Sequence, residues 1–435
     1  MKKRIDFQNN VMGGQFVKLM RFVLLAITLN VAIISCSKSD DVSLPPEETI
    51  MNISLDQTSL KMNVGDEQQL NVIGAKGQSI SWSSSDPAIA TVGDGVVTTR
   101  KGGKAVITAK VGNAQATCSL NIAPDVFIAG YQYNPNNVTI RDIAFYWKNG
   151  VAIPLTDGRN FAVANAIYVD GEDIYVSGNE DSTTGLIAML WKNGQAIPLG
   201  NGSNKSVAND IVVVDGDVHV VGKENGRAMY WKNGIGTVLP DVNGVSEAKA
   251  VFIYEGDVYI AGFYGDQFDL PVAVYWKNGN FIPLANSGED SGANDIFVHE
   301  GDVHITGYKN NRLATHWING TVSVLSAASN YAAGHTVLVD GDDVYIAGHE
   351  SSSNDDKDRC RIWKNGMNVT ATFLTEKRSN STTGFYSSIF VWDKDVHIID
   401  GWNTDVFNIG LYWKNGLIEP VESNNLPIFN DLFVR

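Results

Sequence analysis

The sequence predicts an all-β protein in which a small β-sandwich is followed by a seven-bladed β-propeller closed by the C-terminal strand. Residues 51–123 alternate between apolar and polar side chains in short runs separated by turn residues, as half-buried strands do. Residues 125–435 repeat at a period of roughly 40–50 residues, which is typical of propeller blades. Seven copies of a Trp-x-Asn-Gly phrase mark this repeat, and the first copy ends the stretch AFYWKNG.

The N-terminal segment has the features of an export signal. Basic residues precede an apolar run, Phe22 to Ile34, which is too short to span a bilayer and suits the core of a signal peptide. The run ends in the letters IISC, which resemble the lipobox of bacterial lipoproteins. The resemblance implies a signal peptide over residues 1–36, lipidation of Cys36 and an outer-membrane location. Ser37 to Asp41 resemble the acidic signal that sends lipoproteins of the Bacteroidota to the cell surface, and residues 37–50 indicate a stiff, solvated linker.

Residues 51–123 are predicted to form an antiparallel sandwich, because their alternating runs are separated by Gly and Asp turns. Three stretches resemble the bacterial Ig-like group 2 domain: VGDEQQLNV, WSSSDPAIATV and GKAVITAKV. The resemblance implies an Ig-like fold with Trp82 in its core and Cys118 as a small residue of its last strand. A ligand platform is the alternative role for Trp82. Members of this family act as spacers or adhesive modules, so the domain by itself indicates no ligand.

Each repeat of the C-terminal region contains four short strands. In the second copy, the runs Asn165–Gly171 and Asp173–Gly178 are joined by a Gly turn, and an Asn-Gly turn joins Leu186–Gly194 to Gln195–Leu199. Asn-Gly is the strongest short hairpin signal, because a type I′ turn needs φ > 0 at both central residues. Four antiparallel strands per repeat predict a propeller blade.

In each repeat a Trp stands two residues before the Asn of the turn that joins the third strand to the fourth. Such a ring is expected to pack between neighbouring blades, and a ligand site made of seven Trp is the alternative. The seven are Trp147, Trp191, Trp231, Trp276, Trp317, Trp363 and Trp413.

Two further positions repeat a residue type and are interpreted as structural. Three residues before the Trp stands a small residue, which is Cys360 in the sixth blade and Gly410 in the seventh, so Cys360 is not expected to be a reactive thiol. A second-strand position holds either Tyr or His in six of the seven repeats, and its histidines are interpreted as structural aromatics rather than catalytic bases. The tyrosines are Tyr175, Tyr259 and Tyr345, and the histidines are His219, His304 and His397.

The two ends of the repeat region complete each other. The region begins with a second strand, Asp125–Gly130, and its last residues, Phe429–Arg435, repeat the pattern of a first strand such as Ala293–His299. The C-terminal strand is therefore predicted to complete the first blade and close the ring, which removes open sheet edges. The architecture resembles kelch-like propellers, although the Asp-box of sialidases and the WD40 signature are absent.

The long connections follow the second and fourth strands, so they share one face of the propeller, named here the loop face. Each second strand ends in Gly, and the residue after this Gly varies between blades. These residues are Tyr131, Asn179, Lys223, Phe263, Tyr308, His349 and Trp402. Aromatic faces stack on sugars and on peptide side chains, and polar neighbours give direction. Ligand binding is therefore predicted for this set without Asn179, and the alternative is that the rings pin their own loops.

A second, polar set stands at the start of the first strands. It consists of Asn165, Asn209, Lys249, Asn294, His335, Ser387 and Asn430, with Asp210, Asp295 and Asp431 beside three of them. These residues either line the channel mouth or satisfy backbone groups, and the recurrence of Asn-Asp favours the second role. His335 departs from the repeat, which makes it the candidate for chemistry and a further predicted ligand-binding residue.

Composition excludes several classes of function. A net charge of −15 argues against nucleic acid and against polybasic binding to anionic lipid. After Cys36 only Cys118 and Cys360 remain, in different domains, so no disulfide is expected. The acidic run at Asp355, Asp356 and Asp358 lacks the spacing of a calcium loop. No metal and no cofactor are predicted.

The sequence predicts a non-enzymatic cell-surface lipoprotein that binds an extracellular glycan through the loop face. One alternative is a glycoside hydrolase or polysaccharide lyase, and hydrolysis needs two carboxylates flanking the scissile bond. The other is a protein-binding scaffold of an envelope complex, which would carry a broad apolar patch. The sequence leaves the ligand itself open.

Overall fold

The computed structural model describes residues 52–133, 142–183, 185–200, 205–242, 244–265, 270–310, 313–327, 330–352, 358–369, 387–403, 408–415, 417–419 and 426–435. The chain divides between Ala123 and Pro124 into two compact units. Every regular element of the described residues is a β-strand, as the sequence predicts. None of these residues belongs to a helix long and apolar enough to cross a membrane. Cys36, the signal peptide and the linker lie outside the described residues.

The first unit is a β-sandwich. Its strands are β1 (Ser54–Leu55), β2 (Ser59–Asn63), β3 (Glu67–Gln69), β4 (Val72–Ile73), β5 (Ser81–Ser84), β6 (Ala90–Gly93), β7 (Val96–Thr99), β8 (Gly103–Val111) and β9 (Ala114–Ala123). Sheets of order β2-β9-β8-β5 and β3-β7-β6 are accompanied by the pair β1-β4. Their core contains Leu70, Val97, Ile107 and the fully buried Cys118, and half-buried Trp82 packs against it. The core position expected for Cys118 is confirmed, whereas Trp82 packs against the core and stays half-buried.

The second unit contains seven four-stranded antiparallel sheets within the described residues. The strands of blades 1 to 4 are β10 (Val126–Tyr133), β11 (Ile143–Lys148), β12 (Val151–Pro154), β13 (Ala162–Asp170), β14 (Asp173–Ser182), β15 (Gly185–Lys192), β16 (Gln195–Pro198), β17 (Ser206–Val214), β18 (Asp217–Glu224), β19 (Arg227–Lys232), β20 (Ile235–Val238), β21 (Ser246–Tyr254), β22 (Asp257–Gly265), β23 (Pro271–Lys277) and β24 (Asn280–Pro283). Those of blades 5 to 7 are β25 (Ser291–His299), β26 (Asp302–Lys309), β27 (Leu313–Ile318), β28 (Thr321–Val324), β29 (Asn330–Asp340), β30 (Asp343–Ser352), β31 (Asp358–Lys364), β32 (Met367–Asn368), β33 (Ser387–Trp392), β34 (Asp395–Asn403), β35 (Asn408–Lys414), β36 (Leu417–Glu419) and, completing blade 1, β37 (Leu426–Val434).

The propeller closes through its C-terminal strand. β37 pairs antiparallel with β10 from Val126↔Val434 to Tyr133↔Leu426. The backbones of Asp125 and Arg435 exchange two hydrogen bonds, of 2.9 and 3.0 Å. The first strands of successive blades contact one another in a complete cycle, β37-β13-β17-β21-β25-β29-β33-β37. The predicted seven-bladed ring and its mode of closure are confirmed.

The repeated Trp is a packing residue. All seven indoles are buried, at 2% exposure or less. Trp276 Nε1 donates to Pro240 O at 2.7 Å, and Trp363 Nε1 donates to Leu325 O at 3.1 Å, so each of these rings reaches the preceding blade. The interpretation of the Trp as inter-blade packing is confirmed, and so is the small-residue slot, in which Cys360 is buried.

The Lys and the Asn of the repeated motif bind the Asp at the start of the second strand. These three side chains, named here the clasp, join the second and third strands at the face of the propeller that has the short turns. In all seven blades the Asn of the Asn-Gly turn has φ near 50°, and its Nδ2 donates to the Asp that opens the second strand, as Asn193 does to Asp173 at 2.8 Å. The Oδ1 of Asn193 accepts the backbone N–H of Ile174 at 2.8 Å. In six blades the Lys binds the same Asp, as Lys192 does at 2.8 Å, whereas the fifth blade has Ile318 instead. The repeated Trp-Lys-Asn-Gly motif therefore has a structural role.

The seam between blades 7 and 1 has its own packing. Phe429 of β37 is fully buried, and its ring lies 5.0 Å from the ring of Trp147 in an edge arrangement. A Cβ on Gly410 would lie 2.5 Å from a carbon of the Phe429 ring, so a larger residue here would have to displace that ring. Four other first strands carry Ala where β37 carries Phe429, at Ala164, Ala208, Ala248 and Ala293. A large residue on one side of the seam thus matches the smallest residue on the other.

The second-strand histidines are buried hydrogen-bonding residues. His219 Nδ1 lies 2.7 Å from the hydroxyl of Tyr230, His397 Nδ1 lies 2.6 Å from that of Tyr412, and His304 Nδ1 lies 3.2 Å from His316 Nε2. Their interpretation as structural aromatics is confirmed. Burial lowers the pKa of His219, of His316 and of His397 to about 4.

These histidines predict a loss of stability in mild acid. The unfolded chain, whose histidines titrate near pH 6.5, binds more protons than the folded chain between pH 6.5 and about 4. The contribution to the free energy of unfolding is complete above pH 6.5 and is lost as the pH falls toward 4. We expect a decrease of roughly 2 kcal/mol per histidine between pH 7.5 and 5.0, measured by urea unfolding.

A variant that transfers a pair from another blade provides the control. His219→Tyr with Tyr230→Leu installs the residues that blade 2 has at these positions, Tyr175 and Leu190. It should lose part of the pH dependence while still folding. Equal stability of the original chain at pH 7.5 and 5.0 would contradict the prediction.

Candidate functional site

Within the part of the chain that the structure describes, six of the first strands carry a β-bulge near the end that lies at the loop face. In blade 2 the pairing of β13 with β14 shifts between Ala164 and Ala166, which leaves Asn165 as the extra residue. The same shift isolates Asn209, Lys249, Asn294, His335 and Asn430 in their blades. These six side chains, all half-buried, form a ring around the propeller axis, named here the inner ring.

The Asn members of the inner ring join neighbouring blades. Asn165 Nδ2 donates to Ala208 O at 2.9 Å, and Asn294 Nδ2 donates to Gly334 O at 2.9 Å. Asn209 and Asn430 bind the corresponding carbonyl oxygens of the following blades at 2.8 and 2.9 Å. A buried acceptor left without a partner is costly, so these Asn residues stabilise the ring.

The three Asp residues beside the inner ring also join blades. Asp210 Oδ2 accepts the N–H of Val251 at 2.9 Å, and Asp295 Oδ2 accepts that of Val337 at 2.9 Å. Asp431 Oδ2 accepts the N–H of Ile167 at 3.0 Å, which joins blade 1 to blade 2. The Asn-Asp pairs therefore have the structural role that their recurrence favours, and these carboxylates bind backbone groups.

The variable residues that follow the second-strand Gly form an outer ring beside the inner one. In blades 2 to 6 each outer residue lies fourteen positions after the inner residue of its blade, as Phe263 does after Lys249. Tyr131, Lys223, Phe263, Tyr308 and His349 are half-buried, and Asn179 is buried. For Trp402 only the backbone is described, in β34. The two rings together are named here the mouth.

The mouth holds one charged cluster, shared between blades 3 and 4. Glu247 Oε2 binds Lys223 Nζ at 2.7 Å, while its Oε1 binds Lys249 Nζ and accepts from Asn209 Nδ2 at 2.9 Å. Lys249 Nζ lies 5.8 Å from the centre of the Phe263 ring. Burial alone would raise the pKa of Glu247, but the charges of Lys249 and Lys223 outweigh burial and lower the pKa to about 2.

The mouth also holds an imidazole pair in blade 6. His335 Nε2 lies 2.9 Å from His349 Nδ1, and the ring centroids are 4.8 Å apart. The pKa of His335 lies well below its ordinary value, mainly because the group is buried and to a smaller extent because His349 is beside it. The His335 side chain is half-buried, and its lowered pKa keeps this imidazole neutral near pH 7. Two residues predicted separately from the sequence are thus brought together.

Tyr308 has a different environment in blade 5. A Cβ on Gly292 would lie 2.7 Å from its ring, so the ring covers the backbone of the opposite strand. Among the described residues, no group of three or more His, Cys, Asp or Glu is placed to hold a metal ion. Direct contact with a ligand, through rings, amides and ammonium groups, is the chemistry that the described mouth offers.

Glu247 is the mouth residue that the sequence analysis missed. Its blade reads SEAKA where blade 3 reads SVAND, so Glu247 and Lys249 both depart from the repeat. Alignment of the blades shows these two departures. The contact of Glu247 with Lys223 joins two blades, so spacing within one blade does not predict it.

Comparison with known proteins identifies the first domain. Residues 49–120 match the family model described as bacterial Ig-like domain (group 2). This confirms the family resemblance of the sandwich. No curated protein sequence matches the chain.

Solved structures resemble the chain only distantly. A puromycin-hydrolyzing peptidase of Mycobacterium tuberculosis has 11% identity and a TM-score of 0.44, over 69% of this chain and 53% of that one. A mutant of AofleA from Arthrobotrys oligospora has 11% identity and a TM-score of 0.36, over 61% and 88%. A GH43_1 enzyme from Xanthomonas citri has 11% identity and a TM-score of 0.31, over 64% and 96%. These scores are too low to assign this chain the activity of any of the three.

Proposed function

We propose that this chain is a lipid-anchored cell-surface protein that binds an extracellular glycan at the mouth of its propeller. The observation that carries the proposal is the contrast between a constant frame and variable contents. The Trp, the clasp and the inter-blade hydrogen bonds of Asn and Asp recur in several blades. The pair formed by the inner and the outer residue of the mouth, which are fourteen positions apart in blades 2 to 6, differs in residue type from blade to blade. Variable side chains on a rigid scaffold are where binding is expected. The lipobox resemblance at Cys36 supports the location.

The chemistry of the mouth suits a sugar. Phe263 and Tyr308 offer ring faces, and Lys223 and Lys249 offer donors to hydroxyl or charged groups. The three most exposed large apolar side chains among the described residues, Ile235, Met367 and Leu417, lie on the outermost strands of their blades. At the loop face, the exposed Val242 and Val245 precede β21 and the exposed Tyr331 lies in β29, so they are divided between two blades, which favours a narrow aromatic site over a broad protein-binding patch.

Binding is favoured over hydrolysis by the state of the carboxylates. Glycoside hydrolysis requires a carboxyl group whose pKa is raised so that it donates a proton. At the described part of the mouth, Glu247 has a lowered pKa and two lysine partners, and Asp210, Asp295 and Asp431 are buried against backbone N–H groups.

A binding screen tests the proposal. The chain from Ser37 onward would be measured against a panel of polysaccharides, with released products assayed in the same wells. We expect binding without product release, and a loss of affinity of about tenfold in Phe263→Ala and in Tyr308→Ala, equal to ~1.4 kcal/mol each.

Tyr254→Ala is the matched control, because Tyr254 is a half-buried aromatic at the opposite end of a first strand. Its affinity should equal that of the original chain. Affinity that survives both mouth substitutions would refute the site, and released oligosaccharides would establish the enzyme alternative.

A further inference from the structure

The charged cluster of blades 3 and 4 is a departure from the repeat that spans two blades. Where blades 2 and 3 have Val163-Ala-Asn165 and Val207-Ala-Asn209, blade 4 has Glu247-Ala-Lys249. Blade 3 has Lys223 where blade 2 has Asn179. All three departures meet at one carboxylate. Blade 2 folds with Val163, Asn165 and Asn179 at the equivalent positions, so folding of a blade does not require these three charges. We therefore expect the cluster to have a functional role.

The cluster carries a net positive charge that is held in position. Two ammonium groups bind opposite oxygens of one carboxylate, which fixes both lysine side chains at the mouth. Glu247 is 9% exposed in its side chain, whereas Lys223 and Lys249 are 39% and 34% exposed. Each ammonium has three donors, so both retain donors that a ligand can reach.

The charged side chains of the inner and outer rings are lysines, whereas the carboxylates beside them bind lysines, as Glu247 does, or backbone N–H groups, as Asp210, Asp295 and Asp431 do. The seven inner and seven outer positions include no Asp and no Glu, although the chain has 48 acidic and 33 basic residues. Further acidic residues stand in the short turns of the opposite face, at Asp215, Glu255, Glu300 and Asp393, all with positive φ. At physiological ionic strength the Debye length is about 8 Å, so the net charge of −15 does not cancel the local field of the two lysines.

We infer that the mouth recognises an anionic sugar unit, whose carboxylate or sulfate binds Lys223 and Lys249 while its ring stacks on Phe263. This inference rests on the proposed glycan-binding function and names the substrate class of the same site. Preformed lysines lose little side-chain freedom on binding, because Glu247 already orders them. The neighbouring Phe263 ring, 5.8 Å from Lys249 Nζ, places an apolar face beside the charge.

The test compares polymers that differ only in charge. Polygalacturonate is paired with its carboxyl-reduced product, and dextran sulfate is paired with dextran. We expect the original chain to bind at least one charged polymer about tenfold or more tightly than its neutral partner. The preference should shrink between 0.05 and 0.5 M NaCl, as screening predicts. The pair that shows the preference distinguishes a carboxylate from a sulfate ligand.

The decisive variant copies blade 2 into the cluster. Lys223→Asn, Glu247→Val and Lys249→Asn together remove all three charges and restore residues that this frame already holds elsewhere. We expect the thermal midpoint to be kept and the charge preference to disappear. Lys192→Ala, which removes a comparably exposed lysine from a clasp on the opposite face, should keep the preference.

The outcomes separate this inference from the proposed function. Equal binding of charged and neutral polymers, or a preference that persists in the triple variant, would overturn the inference while glycan binding stands. Absence of binding to every polymer in the panel would overturn both. Should the triple variant fail to fold, the comparison of paired polymers and the salt dependence of the original chain decide the matter.

Discussion

Removal of residues 426–435 abolishes cooperative unfolding of the propeller. The deletion takes away β37, the first strand of blade 1, together with the buried side chains of Phe429, Leu432 and Phe433. It also breaks the cycle of contacts between first strands at β33 and at β13. The cost should exceed about 5 kcal/mol, which is comparable with the whole stability of a typical domain. Urea unfolding followed by tryptophan fluorescence measures it.

A synthetic peptide of residues 426–435 should restore the transition, because the missing strand is supplied in trans. A peptide of the same composition in scrambled order is the control. A truncated chain that unfolds at the midpoint of the full chain would show that the ring does not depend on this strand.

Phe429→Ala lowers the free energy of unfolding by about 3–5 kcal/mol, because it leaves a cavity in a fully buried site. Gly410→Ala lowers it by about 1–3 kcal/mol, because the new Cβ meets the Phe429 ring. The two changes together install Ala at positions that hold Ala in several other blades, and should cost less than the sum of the two. We expect a coupling of at least ~1 kcal/mol, from a double-mutant cycle in urea.

Trp147 provides a check on this cycle. The centres of its ring and of the Phe429 ring are 5.0 Å apart, so Phe429→Ala should also change the fluorescence of the folded state. Strict additivity of the two substitutions would mean that the seam residues do not pack against each other.

Much of the fold was predictable because the repeat supplies internal comparison. The Asn-Gly turn, the Trp before it and the small-residue slot recur at fixed positions, so their roles could be inferred from one blade and checked in the others. The complementary ends at Asp125 and Arg435 predicted the closure. The turn residues and the strand alternation are local to one blade, which is why the sequence of each blade predicts them.

The clasp and the seam were not predicted, because both depend on partners brought together by register. Asn193 and Asp173 are twenty residues apart and meet only because β14 pairs with β15 through Tyr175↔Lys192. Phe429 and Gly410 belong to different blades and meet only when the ring closes.

The sequence indicated which positions lie at the loop face, but it did not indicate which of their side chains contact one another. His335 and His349 were identified as separate candidates, and their 2.9 Å contact follows from the bulge that turns His335 toward the second strand. Lys223 was identified without its partner Glu247, which belongs to the next blade. Side chains that meet across blades cannot be paired from spacing within one blade.

A crystal structure of the chain with an oligosaccharide from the polymer that binds best is the most direct test of glycan binding at the mouth. We predict a sugar ring against Phe263 or Tyr308, with polar contacts to Lys223, Lys249 or the His335–His349 pair. An oligosaccharide bound to the Ig-like domain, or to the short-turn face of the propeller, would contradict it.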